Sequence, residues 1–87
     1  MERITKLIAE GELTEAIRLL NELIEKNPQN EEAYFLLGNV YRKLENWKEA
    51  INHYLEAEAI NPNSPAKNAR LMILDILNFY NKDLYNP

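Results

Sequence analysis

No part of the chain alternates apolar and polar residues as a half-buried strand would, and its longest apolar runs, Ala33-Tyr34-Phe35-Leu36-Leu37 and Leu71-Met72-Ile73-Leu74, are five and four residues. The spacing is helical instead. Over Glu31 to Leu44, at about 100° per residue, Ala33, Tyr34, Leu37, Gly38, Val40, Tyr41 and Leu44 gather on one side, and Glu32, Phe35, Leu36, Asn39, Arg42 and Lys43 take the other. Towards the C-terminus, Ala69, Met72, Ile73, Ile76, Leu77 and Tyr80 form a stripe expected to cover the preceding helix. Leu71 and Leu74 fall opposite that stripe, among Arg70, Asp75 and Asn78.

Start and stop signals divide the chain into five predicted helices. The first runs from about Glu2 to Glu10, before the permissive turn at Gly11, and the second from Leu13 to Lys26. The third starts after the Asn30 cap, with Glu31 and Glu32 at its positive end, and reaches Leu44. The fourth opens at Asn46, a cap with Glu49 three residues on, and stops near Ile60. The fifth begins at Ser64-Pro65, a cap followed by a first-turn proline, and ends near Tyr80. Connections this short make neighbouring helices antiparallel hairpins. The fold class is all-α.

The pattern also repeats. Residues 12–30 align with residues 46–64 at an offset of 34, with identities at Glu15/Glu49, Ala16/Ala50, Ile17/Ile51, Glu22/Glu56 and Asn27-Pro28/Asn61-Pro62. The prolines fix the period independently, since each lacks the amide donor and disfavours a helical residue before it.

Residues 31–64 resemble a tetratricopeptide repeat over its full 34 positions. Tyr34, Leu37, Gly38 and Tyr41 match the signature of its first helix, and Ala50, Tyr54, Ala57 and Pro62 that of its second. Gly38 and Ala50 let the pair approach closely, with Tyr34, Leu37 and Tyr41 filling the space beside them. Residues 1–30 resemble a repeat with a shortened first helix, in which Ala16, Leu20, Leu23 and Pro28 fit and Gly11 is the usual turn glycine. Glu45 holds the equivalent place in the complete repeat, a departure that suggests a slightly altered turn. The fifth helix resembles the capping helix that ends such arrays, with Asn68 and Asp75 where large aromatics are usual. The resemblance implies one domain over 1–87: a partial repeat (1–30), a full repeat (31–64), a capping helix (65–80) and a tail (81–87), together a fragment of a right-handed α-solenoid. Small standalone bacterial proteins of this type are the nearest likeness.

Composition narrows the chemistry. There is no cysteine, so disulfides, thiolate metal sites and thiol catalysis are excluded. Residues 1–64 carry seven basic against twelve acidic residues, a charge of −5, and residues 65–87 carry +1. An acidic body without a basic patch argues against nucleic acid. The N-terminus lacks the apolar core of a signal peptide and no run is long enough to span a bilayer, so the expectation is a cytoplasmic protein without membrane contact. The one tryptophan and one histidine, Trp47 and His53, stand six positions apart. Trp47 is expected to pack into the hairpin, and His53 to be a solvated side chain on the outer side of the fourth helix. With no second histidine, no phosphate-cradling glycine loop, and Ser64 serving as a helix cap, the sequence shows no catalytic constellation and no cofactor or metal site.

What remains is binding. In the family the first helix of each repeat lines a concave surface that usually takes an extended peptide or a partner helix. The resemblance places Glu32, Phe35, Leu36, Asn39, Arg42 and Lys43 on that surface, with Arg70 adding charge at its mouth. Phe35 and Leu36 are read either as packing residues or as anchors for a partner side chain. Asn39 matches a position that often hydrogen-bonds a peptide backbone. Arg42, Lys43 and Arg70 would suit an acidic segment or a carboxylate, although Phe35 replaces the lysine that carboxylate-binding relatives place there. The rival reading is that the fifth helix pairs with its own copy in a homodimer or adds to a longer helical partner, with Leu71, Leu74 and Phe79 as the contact strip and the tail, with Leu84-Tyr85, lying in the groove of its own or a neighbouring molecule.

Overall fold

The 34-residue period is written into single hydrogen bonds of the backbone. The computed structural model describes residues 1–80, with side chains through Phe79, so Leu84 and Tyr85 lie outside the described residues. Five helices follow one another: α1 (Glu2–Ala9), α2 (Leu13–Lys26), α3 (Glu31–Lys43), α4 (Trp47–Ile60) and α5 (Ala66–Tyr80). At the end of α1 the Gly11 N–H donates to Ile8 O at 3.1 Å and the Glu12 N–H to Leu7 O at 2.9 Å. Thirty-four positions on, the Glu45 N–H donates to Arg42 O at 3.0 Å and the Asn46 N–H to Tyr41 O at 2.9 Å. Both are Schellman closures, which need a left-handed residue after the cap.

Gly11 meets that need at φ +81° and Glu45 at φ +57°. The turn at Glu45 is therefore the same turn, not the altered one expected. A non-glycine residue there bears about 1–2 kcal/mol of backbone strain. The closures also shorten α1 and α3 by one residue each, because Glu10 and Leu44 become C-caps.

The Asn-Pro turns repeat as closely. The Asn27 and Asn61 side-chain oxygens accept from the Gln29 and Asn63 amides, each at 3.0 Å. Three side-chain caps form as expected: Asn30 Oδ1 accepts from the Ala33 amide, Asn46 Oδ1 from Glu49 and Ser64 Oγ from Ala66. No reciprocal bond from Glu49 completes the box at Asn46, whose own amide is already committed to Tyr41.

Each helix packs on the next, α1 on α2 through α4 on α5, so the core is two linked clusters. Ile4, Ile8, Ala16, Leu20, Ala33, Leu36, Leu37 and Val40 fill the first. Ala50, Tyr54, Ala57, Ala66 and Ile73 fill the second, and Phe35 and Tyr41 pack against both. Small residues set the α3–α4 approach: Gly38 has no side chain where the buried Tyr54 ring lies, and Ala50 is fully buried. Trp47 packs against the second cluster.

α5 is rotated from the expected stripe. Ala66, Ala69, Ile73 and Leu77 face the body, whereas Met72 and Ile76 are exposed. The apolar set on this helix is wider than one face, and Arg70 claims part of the buried arc.

Candidate functional site

The outward stripe of α3 runs from Glu32 near its N-terminus to Lys43 at its end, about 16 Å along the axis. Glu32 and Lys43 are exposed, while Phe35, Asn39 and Arg42 are half-buried. Acid leads and base trails, as the helix dipole favours. Phe35 is braced from beneath, its ring centroid 5.9 Å from that of Tyr54 at 39°. The Tyr54 hydroxyl passes beside Gly38 and donates to Asn39 Oδ1. Burial pushes the Tyr54 phenol above its ordinary pKa, so it remains a donor through the neutral range. Asn39 is thereby held by its oxygen, which leaves its two amide N–H groups as its remaining donors.

Two residues of the expected groove are employed elsewhere. Leu36 is 7% exposed within the first core cluster, which leaves it no surface for a partner side chain. Arg70 forks onto Glu58 of α4, its Nε donating to Oε2 at 2.7 Å and its Nη2 to Oε1 at 3.0 Å. Those bonds hold the Glu58 carboxyl below its ordinary pKa, against the opposing effect of burial. Arg70 is thus an α4–α5 clasp and not a free charge at the groove mouth.

Sequence reasoning missed Glu58, yet the period carried a signal. At offset 34, Ile24 and Leu36 correspond to Glu58 and Arg70, so an apolar junction in the first repeat becomes an ion pair in the second. Glu31 adds a second tie, accepting from Ser64 Oγ at 3.0 Å and from Asn61 Nδ2 at 3.3 Å. It pins the start of α3 to the α4–α5 connection.

His53 differs from its expected solvated state. Its ring stacks on Tyr41 with centroids 5.2 Å apart and planes at 13°, and its Nδ1 lies 2.7 Å from the Glu49 carbonyl oxygen. It borders a shallow depression of about 500 Å³ with Tyr34, Glu49 and Glu56. A second depression, of about 210 Å³, lies between α1 and α2 beside Ile4 and Leu23. Among the described residues no group of three His, Cys, Asp or Glu side chains is placed to hold a metal ion. No described helix is long and apolar enough to cross a membrane.

On α5, Leu71, Leu74 and Phe79 are exposed, and Met72 and Ile76 join them. The α3 stripe and this α5 face belong to different helices.

The tetratricopeptide repeat model matches residues 7–73 of the chain. The chain belongs to the tetratricopeptide repeat family. Among solved structures, the solution NMR structure of the Bacteroides fragilis protein BF1650 is 49% identical, with a TM-score of 0.89, over 98% of this chain and 87% of that one. No curated protein sequence matches. Members of the tetratricopeptide repeat family generally mediate protein–protein interaction. In this tetratricopeptide fold α1 with α2 and α3 with α4 form helical hairpins, and α5 packs on α4.

Proposed function

We propose that the chain is a cytoplasmic, non-enzymatic binding module that takes an extended peptide or partner segment along the α3 stripe. The contact residues are Phe35, Asn39 and Arg42, with Glu32 and Lys43 at the ends. The observation that carries this reading is the Tyr54–Asn39 hydrogen bond. It orients an amide before any ligand arrives, which lowers the ordering cost of binding. Phe35, supported by Tyr54, offers a flat apolar surface, and Arg42 makes no ion pair among the described residues. An acidic group on the bound segment fits the Arg42 and Lys43 end.

Panning a phage-displayed peptide library against the whole chain tests this directly. Selected peptides are expected to shift the NMR resonances of Phe35, Asn39 and Arg42, and Arg42→Glu is expected to weaken them about tenfold or more while the far-UV spectrum is unchanged. Peptides that map to another face, or that bind Arg42→Glu equally well, would sink the assignment.

A second reading is favoured by a separate observation. Exposed large apolar residues concentrate on α5, which suits self-association through that helix.

A further inference from the structure

The inference rests on that second reading and gives it a geometry. The outer face of α5 has a counterpart in the same chain. Tyr34, Gly38 and Tyr41 of α3 lie on the face that meets α4, and at offset 34 they correspond to Asn68, Met72 and Asp75, with Leu71 between them. No described helix covers those four. Leu71 is 42% and Met72 57% exposed, with Leu74 and Ile76 exposed at the flanks. The face is thus built at a position that receives a helix and stands open.

Apart from the small depression beside Ile4 and Leu23, the opposite end of the stack is mostly charged. The outward positions of α1 and α2 are Glu2, Arg3, Lys6, Arg18, Glu22 and Lys26, with Arg18 tied to Glu15 and Glu22. Met1 is the one exposed large apolar residue there. A head-to-tail stack would set the apolar α5 face against charge, whereas a two-fold pair sets it against itself.

Charge then selects the direction. Lys67, Leu71 and Asp75 lie four residues apart in one row, and neither Lys67 nor Asp75 makes an ion pair among the described residues. A parallel pair would oppose Lys67 to Lys67 and Asp75 to Asp75. An antiparallel pair centred on Leu71 opposes Lys67 to Asp75 twice. We propose that α5 pairs antiparallel with α5 of a second copy, with the two-fold axis passing through Leu71.

A residue on the axis meets itself, and the chain has no cysteine of its own, so cross-linking reads the register. Sedimentation equilibrium of the full chain, from micromolar to near-millimolar, is combined with mild oxidation of Leu71→Cys and of Leu55→Cys, an exposed α4 control. The expected result is a monomer–dimer equilibrium, a disulfide-linked dimer from Leu71→Cys and none from Leu55→Cys, since bridged Cα atoms must lie within about 7 Å. Asp75→Lys is expected to weaken the dimer about tenfold, and adding Lys67→Asp to restore it. A dimer in which Leu71→Cys does not cross-link would overturn the register and leave self-association standing. Monomer throughout would overturn both, and open-ended growth beyond the dimer would overturn the two-fold arrangement.

Discussion

The Glu58–Arg70 clasp lends itself to a quantitative test because the same chain contains its apolar counterpart. Glu58→Ile with Arg70→Leu would rebuild at the α4–α5 junction the residue types that Ile24 and Leu36 supply between α2 and α3. The two charged side chains are only 20% and 16% exposed, so removing either strands the other in a largely dry setting. The loss for each single change is about 1–3 kcal/mol, below the range for a fully buried pair because the long Arg70 stem can carry its head to water. The double change leaves no charge behind and adds apolar contact, so its net effect falls within about 1 kcal/mol of the parent or on the stabilising side. The two singles sum to about 2–6 kcal/mol against a double near zero, so the coupling is about 2 kcal/mol or more. In urea unfolding at neutral pH, with a slope near the small-protein range, that separates the double variant from the additive expectation by about 1–2 M in midpoint. Additivity of the singles within about 0.5 kcal/mol would refute the idea that the residues act as a pair. Acid gives a second arm. The folded carboxyl of Glu58 titrates below the unfolded value, held there first by the Arg70 hydrogen bonds. Its contribution is therefore full above about pH 4.3 and fades as pH falls through the folded pKa. The advantage of the parent over Glu58→Gln should be present at neutral pH and vanish in that acid window, and an advantage independent of pH would contradict it.

Two further outcomes follow from the turns and the helix contact. Gly38→Ala would drive a methyl into the Tyr54 ring, 2.9 Å from Cζ and nearer still to Cε1 and Cδ1. With Tyr54 fully buried, the cost of about 3 kcal/mol outweighs the roughly 1 kcal/mol gain in helix propensity, and the melting temperature should drop by more than about 10 °C; a drop of a few degrees would show that the ring can move. Glu45→Gly should stabilise by about 0.5–1 kcal/mol after the entropy of the unfolded glycine is subtracted, and Gly11→Ala should destabilise by about 1 kcal/mol, although nothing lies within 4 Å of the new methyl. Opposite signs at the two positions, read by chemical unfolding, check that the backbone and not a contact is responsible.

Much of the fold was legible because it rests on local chemistry. Asn30, Asn46 and Ser64 cap helices by the reach of one side chain, the Asn-Pro turns repeat at one period, and Gly38 and Ala50 mark where α3 and α4 come close. Glu45 was misread because composition alone disfavours glutamate in a left-handed turn, while two backbone hydrogen bonds and the packing of α3 on α4 hold it there. Leu36 and Arg70 were read into the groove because a single helix wheel cannot say how far the neighbouring helix wraps around its margin. That extent is set by packing between repeats, which involves residues about twelve or more apart, such as Glu58 with Arg70. Of the stripe read on α3, Glu32 and Lys43 are exposed, while Phe35, Asn39 and Arg42 are half-buried, Phe35 against Tyr54 and Asn39 on the Tyr54 hydroxyl.

The clasp also decides which face α5 turns outward. This helix carries apolar residues around most of its circumference, and two rotations compete: one burying Ile73 with Ala69 and Leu77, the other burying Met72 with Ile76. The rotations differ by about 100°. Turning to bury Met72 would swing the Arg70 guanidinium away from both Glu58 oxygens, which it now meets at 2.7 and 3.0 Å. An apolar pair at this junction would tolerate either rotation, because dispersion and burial are nearly non-directional. A bidentate fork accepts only one. The change from Ile24 and Leu36 to Glu58 and Arg70 therefore adds little to stability and much to orientation, at the one helix whose two faces are both apolar enough to be buried. It leaves Leu71 and Met72 outward by geometry, on the surface where a second copy can reach them.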